Sequence, residues 1–155
     1  MDFSTILQPE NIQLYWDGLV NSLLLLATSL LVGGLMALPL AVARVSEKRF
    51  IQGPVWLFTY VMRGTPLLIQ VYLIYYGLGQ MEYIQARWDD SWFWKWFKEP
   101  MFCAILAFAL NTCAYTVELL AGAIRDTGHG EVEAARAMGM SRWTTMRRIL
   151  LPSAM

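Results

Sequence analysis

Apolar and polar residues fall in long blocks along this chain rather than alternating, a pattern that suits membrane-crossing helices. Gly18 to Ala43 contains no Asp, Glu, Lys or Arg. A helix over 18–43, at about 1.5 Å per residue, exceeds a hydrocarbon core of about 30 Å and crosses it with some tilt. Gly33, Gly34 and Pro39 in it allow a bend or close contact with another helix. A second apolar block predicts a kinked transmembrane helix over 54–81, interrupted by Arg63-Gly64-Thr65-Pro66. The uncharged run 64–81 is long enough to cross alone, with Val55–Met62 then lying at the membrane surface; one kinked helix is the other reading. A third block predicts a helix over 101–124.

The polar blocks between these spans orient them. Arg44, Lys48 and Arg49 follow the first span against Glu47 alone, so residues 44–53 form a cytoplasmic loop and 1–17 an external segment. Residues 1–17 carry no Lys or Arg, unlike a secretory leader. Residues 82–100 form an external loop with Trp88, Trp92, Trp94 and Trp96, and Arg125 onward is cytoplasmic. Trp92 to Phe97 alternates like a base-stacking platform, but its loop has three basic residues against four acidic ones. A membrane-interface belt is the preferred reading, with contact to an external binding protein as a weaker possibility.

Composition removes most other classes. The chain is 57% hydrophobic with zero formal net charge, so bulk electrostatics give no case for nucleic acid. Cys103 and Cys113 share one helical segment about 15 Å apart, too far for a disulfide. There is no phosphate-binding loop of the Gly-x-x-x-x-Gly-Lys-Ser/Thr type, so no ATP or other cofactor is expected in this chain. No nucleophile–base pair or metal-ligand cluster stands out, and His129 reads as a solvated loop residue.

The third span carries its own polar stripe. Asn111, Tyr115 and Glu118 recur at four and three residues and share a helix face. A charge at mid-membrane costs about 2.5–3.5 kcal/mol on insertion scales, so such a residue faces protein or water. That face is a candidate substrate path, with Arg63 and Gln70 of the second span as further candidates. The plainer readings are a Glu118 paired with Arg125 or another subunit, a snorkelling Arg63 and a Gln70 bonded between helices.

The most informative stretch is Glu131 to Pro152. Glu131–Met138 favours a helix, Gly139 suits a left-handed helix end, and Ser141 suits the N-cap of a second short helix. Ala134, Ala135 and Ala137 make a small-residue patch beside Met138, fit for close approach of a partner. Glu133, Ala134, Ala135, Gly139, Ile149, Leu151 and Pro152 stand at the spacing of a known motif. The stretch resembles the EAA coupling loop of ABC importer permeases. Arg63 to Gln70 and Ala114 to Ile124 are similar to the polar amino acid permeases within that family, especially M-type permeases that serve basic amino acids. Ala121 departs from a basic residue often found before the glycine there.

This resemblance implies an all-α integral membrane protein with a type I ABC importer permease fold in the bacterial inner membrane, its N-terminus periplasmic. It implies a second, similar permease, two ATPase subunits that bind the ATP, a periplasmic solute-binding protein and a polar, basic amino acid as substrate. Family members usually have five spans and about three are present here, so the chain is expected to be C-terminally truncated. A permease for neutral amino acids such as glutamine and a non-transporting membrane interaction protein are the alternatives.

Overall fold

The computed structural model describes residues 9–78, 80–87, 92, 94–126, 129–150 and 152, and every regular element among them is helical. Helix α1, Pro9–Arg44, starts well before Gly18. Proline is well tolerated at a first helical position, where its missing N–H would have no partner anyway. Pro39 lies inside α1 without ending it. The Ser and Thr hydroxyls of α1 are satisfied within the helix: Ser22 donates to the Gly18 carbonyl at 2.8 Å, Thr28 to Leu24 at 2.7 Å and Ser29 to Leu25 at 2.6 Å. That back-bonding lets polar residues sit in an apolar span at little cost.

Helix α2, Arg49–Gly64, begins inside the segment expected to be loop and carries Pro54 within it. Its end is sharp. Thr65 is extended (φ −109°, ψ 137°), the conformation a following proline imposes. Thr65 also donates its hydroxyl to the Val61 carbonyl at 2.9 Å. The chain then restarts as α3, Leu67–Tyr72, which widens into a π-helical turn, Leu73–Leu78. Thr65 and Pro66 therefore separate two helices. A short α4, Glu82–Gln85, and a 3₁₀ turn, Trp94–Lys98, lead to α5, Pro100–Asp126. By length and composition α1 and α5 can each cross a membrane, and Arg49–Gly64 with Leu67–Gly77 makes a third span if that bent pair counts as one.

Two compact units divide the helices between them. The first holds residues up to 32 and 67–109. Aromatics around the start of α5 pack on one another: Phe97 is buried, edge-on to Phe102 at 5.4 Å, with Trp94 5.5 Å from Phe97. The Cys103 thiol reaches the Phe97 carbonyl at 3.6 Å. Trp92 stays exposed, while Trp88 and Phe93 lie outside the described residues.

The second unit, residues 33–66 and from 110 on, contains a core of Ala37, Val55, Cys113 and Val117, against which Leu40, Ala43 and Phe58 pack. Ala37, Ala41, Ala114 and Ala121 are fully buried. Small residues at helix contacts are the expected solution in lipid, because acyl chains are as apolar as leucine and burial alone gives helices little reason to associate. Close packing and polar pairs must hold them.

Candidate functional site

Polar pairs in the second unit converge on Glu118 of α5. Its Oε1 accepts from Arg44 Nε, at the end of α1, at 2.7 Å, and from the Thr59 hydroxyl of α2 at 2.7 Å. One carboxylate oxygen thus joins three helices. Arg125 donates to the Arg44 carbonyl at 3.3 Å, so it secures the end of α1 rather than pairing with Glu118. The side chains of Arg44 and Glu118 are only 10% and 19% exposed, and each is the other's counter-charge. This matters in a membrane span, where an unpaired charge costs several kcal/mol.

The rest of the polar stripe also meets α2. The Asn111 amide donates to the Met62 carbonyl at 3.4 Å. The Arg63 guanidinium lies 5.4 Å from the centre of the Tyr115 ring, which remains half exposed. Asn111, Tyr115, Glu118 and Arg63 are therefore all drawn into the α2–α5 contact. Gln70 is buried in the other unit. Arg44 and Thr59 were missed by sequence reasoning, although the exclusion of unpaired charge from a span required some cation for Glu118.

Nearer the C-terminus, α6, His129–Ala137, carries Glu131 in its first turn and Arg136 in its last, each complementing the helix dipole. It ends in a Schellman motif. The Gly139 N–H donates to the Arg136 carbonyl at 2.9 Å and the Met140 N–H to Ala135 at 3.0 Å. Gly139 has φ +74°, a conformation that side chains disfavour. Ser141 then caps α7, Arg142–Thr145, accepting the Thr144 N–H on its hydroxyl at 3.2 Å. A π-helical turn, Met146–Leu150, follows.

The three alanines divide: Ala135 is fully buried, whereas Ala134 and Ala137 are exposed beside Glu133 and Gly139. Met138 and Trp143 are 67% and 69% exposed and flank the turn with apolar surface. Trp143, a large aromatic in a charged stretch, is the residue the sequence reading overlooked. Ile149 is half-buried and Pro152 exposed, and Leu151 lies outside the described residues. The arrangement is a helix–turn–helix with exposed small and apolar groups.

Residues 19–155 match the family described as the binding-protein-dependent transport system inner membrane component. The chain belongs to that family. Among its relatives is the histidine/lysine/arginine/ornithine transport system permease protein HisM of Salmonella typhimurium, 45% identical over 94% of this chain and 66% of that protein. HisM of Escherichia coli is 46% identical over 90% and 58%. The nopaline transport system permease protein NocM of Agrobacterium fabrum is 43% identical over 86% and 54%. This family member thus spans less than two thirds of the length of these relatives. A solved structure described as an amino acid ABC transporter with histidines shares its fold at TM-score 0.77 and 32% identity, over 99% of this chain and 65% of that one.

Proposed function

We propose that the chain supplies the membrane part of an ATP-driven amino acid importer in a bacterial inner membrane, its N-terminus periplasmic. The observation that carries this reading is the α6–Gly139–α7 turn, in the stretch that resembles the coupling loop, where Glu133, Ala134, Ala137, Met138 and Trp143 are exposed. In this reading the turn docks in a groove of a separate ATPase subunit. Closure of two such ATPases on ATP moves α6 and α7, and the attached spans rock between outward- and inward-facing states. A second, similar permease and a periplasmic solute-binding protein complete the assembly.

Basic amino acids are the favoured substrates, on the strength of the two HisM relatives. The paired state of Glu118 weakens the separate argument that its free charge draws a cation, so glutamine-like neutral substrates are the second reading. The half-exposed Tyr115, with Asn111 and Arg63 beside it, remains the best candidate path surface of α5.

The test is affinity purification of the complete gene product from solubilised membranes, with mass spectrometry of what accompanies it. An ATPase and a second permease in stoichiometric amounts are expected, and Glu133→Lys or Gly139→Asp should release the ATPase and abolish uptake. A protein that purifies alone after mild cross-linking, or variants that keep both properties, would favour a non-transporting membrane interaction protein.

A further inference from the structure

At the basic end of the first span lies a cavity of about 280 Å³ lined by Arg44, Arg49, Gln52, Gly53 and Trp56. The residues that line it carry two guanidiniums, a side-chain amide and an indole, and no carboxylate. Glu118 engages only Nε of Arg44, and the other N–H groups of that guanidinium have no acceptor among the described residues. The same is true of the Arg49 guanidinium, the Gln52 amide and the Trp56 indole N–H. Of these residues Arg44 is the buried one, and a buried guanidinium with N–H groups to spare calls for an acceptor from outside.

The surroundings narrow its chemistry. Arg44 is only 8% exposed and held by Glu118, so its guanidinium is ordered before any ligand arrives. The first turn of α2 forms part of the wall; it contains no acidic residue and receives no side-chain cap from Lys48. The Lys48 carbonyl takes the Ile51 and Gln52 N–H groups at 2.9 and 3.0 Å, and the positive end of the helix dipole lies at this turn. Phe50, 97% exposed, and half-exposed Trp56, stacked on Tyr60 at 5.3 Å, are the amphipathic and apolar groups that settle at a membrane–water interface. Basic pockets at helix ends in that zone suit lipid headgroups.

We propose that this cavity binds the phosphate of an anionic phospholipid. The headgroup phosphate bridges Arg44 and Arg49, Gln52 and Trp56 donate to its ester or glycerol oxygens, and the acyl chains pass outward over Phe50. A zwitterionic headgroup brings a cation that finds no acceptor on this wall, so the site discriminates by charge.

The test uses the complete permease complex, purified in detergent and exchanged into equal mixtures of phosphatidylglycerol and phosphatidylcholine, with retained lipids counted by native mass spectrometry. Preferential retention of phosphatidylglycerol is expected. Arg49→Gln, at an exposed position outside the Glu118 cluster, should reduce it about five-fold, one arginine's share of attraction to an anionic surface. Gly53→Leu should reduce it similarly without changing charge: a Cβ there meets nothing within 4 Å, and the larger side chain fills the cavity. The exposed Arg147→Gln should leave it unchanged. Equal retention of both lipids, or retention indifferent to Arg49→Gln and Gly53→Leu, overturns the proposal. Displacement of the lipid by inorganic phosphate reassigns the cavity to a soluble anion. Lipid retention is read on the permease itself, so it succeeds or fails independently of ATPase association.

Discussion

Removing the Glu118 carboxylate should loosen three helices at once. Glu118→Ala leaves the Arg44 guanidinium without its counter-charge and the Thr59 hydroxyl without the acceptor it shares. Breaking a buried ion pair from one side costs about 3–5 kcal/mol. The 19% exposure of Glu118 admits some solvent relief, which places the ion-pair loss near 3 kcal/mol. The Thr59 bond adds about 1 kcal/mol. At about 2–4 °C per kcal/mol for a chain of this size, the melting temperature should fall by about 8–16 °C. Glu118→Gln keeps an Oε1 acceptor for both donors but still leaves the Arg44 charge uncompensated, so its melting temperature should fall by less than that of Glu118→Ala while remaining clearly below the wild type. Heating the detergent-solubilised permease and following the surviving monodisperse fraction reads this order directly. The double variant Arg44→Gln with Glu118→Gln should be more stable than the two single losses added together, because it leaves neither charge uncompensated. A Glu118→Ala protein that melts with the wild type, or strictly additive single and double variants, would refute the clamp.

Two further outcomes follow from local geometry. Gly139→Ala places a Cβ in open space, so its cost is conformational only, about 1–2 kcal/mol for a residue held at φ +74°; ATPase association should weaken, Gly139→Asn should weaken it less, and equal association of Gly139→Val and wild type would contradict the turn's role. Cys103 and Cys113 are free and fully buried, so a membrane-impermeant maleimide should label neither until the protein is denatured; rapid labelling of the folded protein would show that α5 packs otherwise.

What the residues announced in advance was chiefly local. Gly139 and Ser141 determine a helix end and a helix start from their own backbone and side-chain chemistry, and both stand in the structure where that chemistry requires. At Thr65-Pro66 the residues left a kinked helix and a break both open; α2 ends there and α3 restarts, because proline restricts the residue before it. Relations across the chain were not legible. Glu118 needed a cation, but nothing local to Arg44 says that it, 74 residues away, would supply one instead of nearby Arg125. The stripe Asn111, Tyr115, Glu118 was visible as a helix face; that α2 covers it is a packing result. The small-residue patch divides for a related reason. Ala134, Ala135 and Ala137 are adjacent in sequence, yet helical geometry points Ala135 inward and its neighbours out. The extension of α1 back to Pro9 escaped notice because polar residues there signal the end of an apolar block, not the end of a helix.

The shared oxygen of Glu118 also sets a schedule for biosynthesis. Arg44 and Thr59 leave the ribosome before their acceptor exists, and Arg44 waits for 74 further residues. At about 5–20 residues per second, that interval is roughly 4–15 s. Through it, α1 and α2 must reside in the insertion machinery or bilayer without the contact that later fastens them, Arg44 held in the headgroup layer by its own charge. The arrival of α5 closes the junction, so a chain arrested between residues 59 and 118 holds two donors whose shared acceptor has not yet been made.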